Sequence, residues 1–315
     1  MIDLEKYSVR QGTREDADLV VLLINRVQPN DLWTREYFMW QYFGLSIGST
    51  YLYLIFHNQD LVALYAAVGK QCNILGEVRD SLMIQDVMTH PEHRGQGFLN
   101  YLTTLCIKTI KSNGLYAYTF PNKLSENSFR RSGWSELGIV PLREKMVILD
   151  SVKSNIKIDR VEEFDQRVEK IWGNSGLYIG VNRDRSFLNW RYSRPNTFYF
   201  KFLIQDKNGY LVLKLFENQN VRILHILDFV LVSSAVDSIL ATLQFVSEFA
   251  SSNNVKKITC WLAKEHPYAK FFDEVGLNLV SEHDRFSFVM APEKDLEAFS
   301  RLSHWHLTQG DSDIY

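Results

Sequence analysis

The chain has 315 residues, a formal net charge of −2 and 46% hydrophobic residues. That length predicts two domains, each with enough apolar residues for its own core. The near-neutral balance gives no broad steering toward nucleic acid, and no apolar run reaches the length of a membrane span.

The three cysteines, Cys72, Cys106 and Cys260, are too widely spaced for a CxxC pair or a metal cluster. Cys106 and Cys260 fall in apolar stretches and are expected in the core. The opening Met1-Ile2-Asp3-Leu4-Glu5-Lys6 has no secretory apolar segment, so a cytoplasmic protein is expected. Composition does not set an oligomeric state.

Tyr7 to Arg10 reads as a first strand and Asp16 to Arg26 as an amphipathic helix with Asp16 as its cap. Thr34 to Phe43 reads as a second, aromatic helix. Tyr51 to Phe56 and Asp60 to Val68 read as strands joined by His57-Asn58-Gln59. Ser81 to Thr89 is the next strand, and Gly97 to Lys111 a helix. Between them lies His90-Pro91-Glu92-His93-Arg94-Gly95-Gln96-Gly97. A glycine-containing turn from strand to helix exposes backbone N–H groups that, with the helix N-terminus and Arg94, suit a pyrophosphate. The spacing is neither a Walker A loop nor a full dinucleotide fingerprint, because position 100 is Asn.

Val87 to Leu99 instead resembles the acyl-coenzyme A loop of the GCN5-related N-acetyltransferase superfamily. Leu99 departs from the second small residue frequent there. The resemblance continues through the strand Leu115 to Tyr118, the turn and capping residues Pro121-Asn122 and Ser125-Glu126-Asn127, a short helix from Glu126 to Ser132, and Gly133-Trp134. It implies that Val87, Met88, Thr89, Arg94, Gly95, Gln96, Gly97, Phe98 and Leu99 hold acetyl-CoA or another acyl-CoA, with Asn122, Asn127 and Phe129 near the late helix. Many family members carry a Tyr that protonates the leaving thiolate four residues before the helix-ending Gly. Phe129 stands there and cannot donate a proton.

Arg143 to Leu149 reads as a final strand of the first domain, and a boundary is expected near Asp150 to Asn155. This divides the chain into 1–150 and 151–315. Asp159 to Gly173 and Arg183 to Tyr192 read as helices; the second presents Phe187, Trp190 and Arg191 on one face, expected to lie against the first domain. Phe198 to Gln205 and Tyr210 to Glu217 read as a hairpin around Asn208-Gly209. A strand from Val221 to Leu231, a helix from Ser234 to Ser251, a strand from Lys257 to Leu262, a short helix from His266 to Gly276 and a strand from Arg285 to Met290 follow. This order resembles a second, divergent copy of the same superfamily. No Arg-Gly-x-Gly segment follows Leu231, so coenzyme A is expected in the first half alone. Phe272 before Gly276 corresponds to Phe129 before Gly133. The expected fold is therefore α/β: two tandem acyl-CoA N-acyltransferase domains, each a mixed, mostly antiparallel sheet flanked by helices.

The activity implied is acetyl transfer from the thioester to a primary amine on a small molecule. Asp86, Glu77 and His90 are base candidates. A main-chain N–H near Met88 is the oxyanion donor that the resemblance implies. Trp33, Tyr37, Trp40 and Tyr42 suggest a wall for an amino sugar or nucleotide-linked sugar. Phe187 to Tyr192 and the tail Trp305 to Tyr315 bear a weaker resemblance to transferases of bacterial surface-polysaccharide pathways. The tail carries apolar anchors and a carboxylate at Tyr315, expected to close the acceptor site. His90 and His93 have no third ligand to fix a metal site, and His304, His306, Asp311 and Asp313 could surround a cation but read first as a polar terminal tail. The alternative is a non-catalytic acyl-CoA-binding regulatory or scaffold protein.

Overall fold

The computed structural model describes residues 3–30, 32–147, 154–205, 209–218, 221–232, 236–281 and 285–315. The first run comprises β1 (Tyr7–Gln11), α1 (Ala17–Val27), α2 (Arg35–Phe43), β2 (Tyr51–His57), β3 (Asp60–Ile74), β4 (Glu77–Thr89), α3 (Phe98–Ser112), β5 (Tyr116–Thr119), α4 (Lys123–Arg131) and β6 (Ser135–Ile139). Next come β7 (Leu142–Met146), β8 (Ile158–Val161), α5 (Arg167–Gly173), β9 (Ile179–Val181), α6 (Arg185–Arg191) and β10 (Phe200–Ile204). Then follow β11 (Gly209–Asn218), β12 (Val221–Leu231), α7 (Val236–Ser252), β13 (Lys257–Trp261), α8 (Ala269–Glu274), β14 (Asn278–Leu279), β15 (Phe286–Met290) and α9 (Glu293–Phe299). Among the described residues no helix is long and apolar enough to cross a membrane, and all three cysteines are buried thiols outside any disulfide.

Two compact units emerge: residues 1–72, 78–138 and 285–300 form one, and 73–77, 139–284 and 301–315 the other. In the first, the strands run β1-β2-β3-β4-β5-β15-β6, and strand alternation feeds two cores. On one face Tyr53, Ile55, Ala63 and Tyr65 meet Phe98, Leu102, Cys106 and Ile110 of α3, which recur every fourth residue. On the other, Leu52, Leu54, Leu64 and Ala66 meet Ala17, Val20, Leu23 and Ile24 of α1, with Phe38 and Tyr42 of α2. Thr34 caps α2 through Tyr37 N (3.1 Å). Asp16 holds the N-cap position of α1, but its side chain makes no capping bond there. Its carboxylate instead accepts from Thr13 N at 2.8 Å and from Arg10, closing the 3₁₀ turn that leads into the helix. Asn122, not the Ser125 region, starts α4: its Oδ1 accepts from Leu124 N and Ser125 N.

The second sheet runs β14-β7-β13-β12-β11-β10-β8. Its core gathers Leu211, Leu213, Leu224, Ile226, Ile239, Leu243 and Phe272. Two strands differ from the sequence expectation. β7, expected to finish the first domain, pairs antiparallel with β13 from Lys257↔Met146 to Trp261↔Leu142. β15, expected to finish the second, pairs with β5 through Phe288↔Thr119 and Met290↔Ala117. A strand joins whichever ladder edge is open to it, and its own residues do not encode that choice. The segment from Asp159 is also not one helix: residues 158–161 pair with β10, and α5 starts only at Arg167. The 150–153 part of the expected boundary, Asn208 of the expected turn, and Ser233-Ser234 lie outside the described residues.

Candidate active site in the first unit

β4 and β5 are parallel from Ser81↔Tyr116 to Ile84↔Thr119. Thr119 Oγ1 donates to the Ile84 carbonyl at 3.0 Å, which marks the last joined point. β5 ends there, while β4 continues to Thr89. Two residues past the join, Asp86 has φ +49°, a left-handed conformation inside β4. Val87 packs toward the α3 core, whereas Met88 packs toward α1 and α2.

At the top of β4, His90 N bonds to Val62 O at 2.8 Å, and His90 Nδ1 accepts from Glu92 N at 3.3 Å. A single 3₁₀ turn, Pro91–His93, follows. Gly95 and Gly97 each have φ +78°, where a side chain is strained. A Cβ added at either meets nothing within 4 Å, so both glycines face open space. Arg94, Gly95, Gln96 and Gly97 are exposed. Gly97 caps α3 without a side-chain bond, and the first turn carries no acidic residue. The orphan N–H groups and positive end of a four-turn helix therefore face solvent beside Arg94. Phe98, buried, anchors the helix start in the core, and Leu99 packs beside it. This loop, open, rich in donors and without side chains in the way, fits an acyl-coenzyme A pyrophosphate.

The other expected residues divide. Asn122 is committed to capping α4, and Asn127 is exposed on it. Phe129 is buried against Trp134 and Phe288 (ring centroids 5.3 and 6.3 Å), so it is a core residue as well as a non-donor. His90 has its Nδ1 engaged and lines a groove of about 150 Å³ with Arg26, Asp60 and Glu92. Its neighbour His93 bonds Tyr7 Oη at 3.2 Å; burial, then His57 and His90, holds its imidazole below the usual range. Glu77 is exposed at the opposite end of β4, about 30 Å from Asp86 at ~3.3 Å per strand residue. Tyr315 belongs to the second unit, where its main-chain oxygen accepts from Arg191 at 2.7 Å and its ring meets Trp261 and His225.

The aromatic wall is not formed as expected: Trp33, Tyr37 and Tyr42 are buried in the α1/α2 core, and Trp40, half-buried, stacks on Tyr37 at 5.3 Å. Three contacts had no sequence signal. Tyr42 Oη donates to Asp86 Oδ2 at 2.8 Å, Gln85 Nε2 to the same oxygen at 2.8 Å, and Ser128 Oγ to Asn100 Oδ1 at 3.0 Å. A separate cleft of about 420 Å³, lined by Lys111, Gly114, Gly133 and Glu293, lies at the far end of α3.

The second unit has the corresponding strand pair, parallel from Ile223↔Lys257 to Ile226↔Cys260. Asp228 follows its join by two residues, as Asp86 follows Ile84. Here the tail occupies the place. His306 Nε2 bonds Phe229 O at 2.8 Å, and Gln309 Nε2 bonds Thr259 Oγ1 at 3.1 Å. At Gly310 an added Cβ would meet Leu227 O at 3.0 Å and collide with Tyr192 Oη. Asp228 itself is buried, accepting from Arg183, Tyr192 and Tyr210. His306 and Asp311 are thus structural, and no metal-binding group forms among the described residues.

The tail's histidines give a pH expectation. His266 Nδ1 accepts from Tyr268 N at 3.2 Å, so its Nε2 donates to His306 Nδ1 at 3.0 Å, and His306 Nε2 donates to Phe229 O. Both rings are neutral in this chain. Burial, then Arg143 and Arg183, pushes His266 down to about 3, and burial holds His306 well below the usual range. Their contribution to stability is full above the unfolded value near 6.5 and is lost as pH falls from there toward 3. Melting temperature should therefore fall between pH 7 and pH 5, before ordinary carboxylates titrate; a flat profile over that range refutes this.

Residues 8–137 match the family model described as an acetyltransferase (GNAT) domain. No curated protein matches the chain. Among solved structures, the chain resembles a protein of Enterococcus faecalis V583 described as a probable N-acyltransferase, with TM-score 0.70, 14% identity, and coverage of 90% of this chain and 72% of that one. A GCN5-related N-acetyltransferase of Anabaena variabilis gives TM-score 0.67 at 15% identity, with the same coverages. Saccharomyces cerevisiae N-myristoyltransferase with bound myristoyl-CoA gives TM-score 0.61 at 10% identity, covering 92% of this chain and 83% of that one. At these identities the likeness is one of fold, and it spans both units. Residues 8–137 thus match the acetyltransferase (GNAT) domain model, within a chain of two units that share the fold of these N-acyltransferase structures.

Proposed function

We propose that the first unit transfers an acyl group, acetyl in the simplest case, from acyl-coenzyme A to a primary amine, with Asp86 as the base. One observation carries this reading: β4 parts from β5 at Ile84 and Thr119, directly below an open glycine loop at the start of α3. When bound there, the coenzyme supplies an activated thioester. The Arg94–Gly97 backbone and the α3 N-terminus hold its pyrophosphate, and the freed edge of β4 near Met88 orients the acyl carbonyl.

The acceptor nitrogen attacks the carbonyl carbon, the carbon–sulfur bond breaks, and the nitrogen's proton passes to Asp86. Phe129 has no proton to give, so the leaving thiolate takes one from solvent. Of the other base candidates, Glu77 is far along the strand and His90 has its Nδ1 engaged. The tail carboxylate at Tyr315 is anchored in the second unit. The acceptor class is a small primary amine, with amino sugars and nucleotide-linked amino sugars as the first to try.

Calorimetric titration with coenzyme A is expected to give one site per chain. Release of free thiol from acetyl-CoA should depend on an added amine from a panel including glucosamine and a UDP-linked amino sugar. One-site binding with no release across the panel overturns the enzyme reading in favour of a regulatory acyl-CoA-binding module. Two equivalent sites overturn the assignment to the first unit.

A further inference from the structure

Three histidines gather at the start of the glycine loop. The His93 ring lies 5.1 Å from His57 and 5.6 Å from His90, centroid to centroid. His57 ends β2, and His90 and His93 bracket the 3₁₀ turn that leads into Arg94. Tyr7 closes the group. Its ring packs edge-on against His93 (5.9 Å) and against Phe98 (4.8 Å), the first residue of α3. The cluster is thereby tied to both ends of the loop.

The charges facing this cluster are mixed. Lys6 lies over the Tyr7 ring at 5.6 Å, Arg94 follows His93 directly, and the positive end of α3 adds to both. Against them stand Glu92 of the turn and Asp60, which sits opposite His57 in the β2–β3 hairpin. Arg26 of α1 lines the groove that His90 and His93 share with these two carboxylates. The three rings are not equivalent. His90 Nδ1 is spent accepting from Glu92 N, and a proton there breaks that bond. His57 meets its neighbours through ring contacts. His93 Nδ1 lies 3.2 Å from Tyr7 Oη. A phenol hydroxyl donates to a neutral imidazole and accepts from a charged one, so His93 alone keeps its bond in either state.

We propose that coenzyme binding to this loop is proton-linked: seating the anionic pyrophosphate on Arg94–Gly97 draws one proton onto His93. This rests on the reading of the loop as the coenzyme site. The cause is a change of neighbours. Without ligand, two like rings, Lys6 and burial keep His93 neutral. A pyrophosphate seated one to four residues further along the chain favours an imidazolium there. The proton comes from solvent, forms the Nδ1–H bond, and the Tyr7 hydroxyl turns to accept it. By reciprocity, coenzyme affinity rises as pH falls through the imidazole range.

Dephospho-coenzyme A is the calorimetric probe, because its pyrophosphate diester stays ionised through that range and adds no titration of its own. Binding is expected to be about fivefold tighter at pH 6 than at pH 8. Titrations at pH 6.5 in two buffers of different ionisation enthalpy should show net proton uptake. In His93→Gln the uptake should vanish and affinity should stay near its pH 8 value throughout, whereas a merely structural role would weaken binding at every pH. Tyr7→Phe keeps the ring against Phe98 and removes the acceptor of the charged state, whose bond is the stronger one; its affinity should change less between pH 8 and pH 6. A readout independent of affinity is the imidazole C–H proton signal of His93, identified by its absence in His93→Gln. It should titrate at higher pH in the coenzyme A complex than in the free protein.

An unmoved His93 midpoint, affinity that is flat with pH, or uptake that persists in His93→Gln overturns the linkage and leaves the loop as the coenzyme site. Absence of coenzyme A binding at every pH overturns the loop reading, and the linkage with it.

Discussion

Replacing Gly95 and Gly97 together with Asp is expected to weaken coenzyme A binding by at least 100-fold, about 3 kcal/mol, while the chain still folds. Two effects combine. Each side chain projects into the open face of the loop, where a Cβ has no protein neighbour within 4 Å, so the space lost is space for ligand. Each carboxylate also places negative charge among the donors meant for phosphate. The cost to folding is the strain of two side chains at φ +78°, roughly 1 kcal/mol each.

Gly95→Ala with Gly97→Ala carries the same strain without the charge and should weaken binding far less. Titration calorimetry and a thermal melt on the same samples separate the terms. Unchanged affinity in the Asp variant would falsify the placement of the coenzyme on this loop.

The largest stability effect is expected at Arg183, fully buried in the second unit. Its guanidinium bonds Asp228 at 2.9 Å, Asp311 at 2.8 Å and the Val181 carbonyl at 2.8 Å. Burial alone would disfavour its charge; the two carboxylates outweigh that and raise its pKa well above the usual value. Arg183→Met leaves two buried carboxylates facing each other with no cation, and removal of a buried partner costs about 3–5 kcal/mol. That is a large share of the total stability of an ordinary domain.

Asp311→Asn should be much milder, because it leaves Arg183 paired one-to-one with Asp228. Denaturant midpoints for the two variants give the comparison, and equal losses would contradict the charge argument. Deleting residues 311–315 also removes the Ser312 and Tyr315 acceptors of Arg191. Such a truncation therefore measures folding of the second unit and cannot isolate an acceptor-site role for the tail.

The local chemistry of this protein was legible in its residues. The run from His90 to Gly97 specifies a strand-to-helix loop, because two glycines are needed at left-handed positions and no acidic residue follows in the first turn of α3. Phe98, Leu102, Cys106 and Ile110 announce their buried face by spacing alone. Phe129 shows from its chemistry that it can donate no proton.

Contacts across the sheet depend on which distant elements meet, and only the tertiary structure decided them. β7 and β15 are five residues each, too short to name a partner, so hydrogen-bond pairing assigned each to the sheet beyond its own half. The aromatic residues of α2 read equally well as a ligand wall or a core; burial of Trp33, Tyr37 and Tyr42 made them core and left the Tyr42 hydroxyl on Asp86. Asp86 and Asp228 hold matching positions after their strand joins. One lies where β4 continues past the end of its pairing with β5. The other is closed over by Arg183 and by a tail that begins more than seventy residues later in the chain.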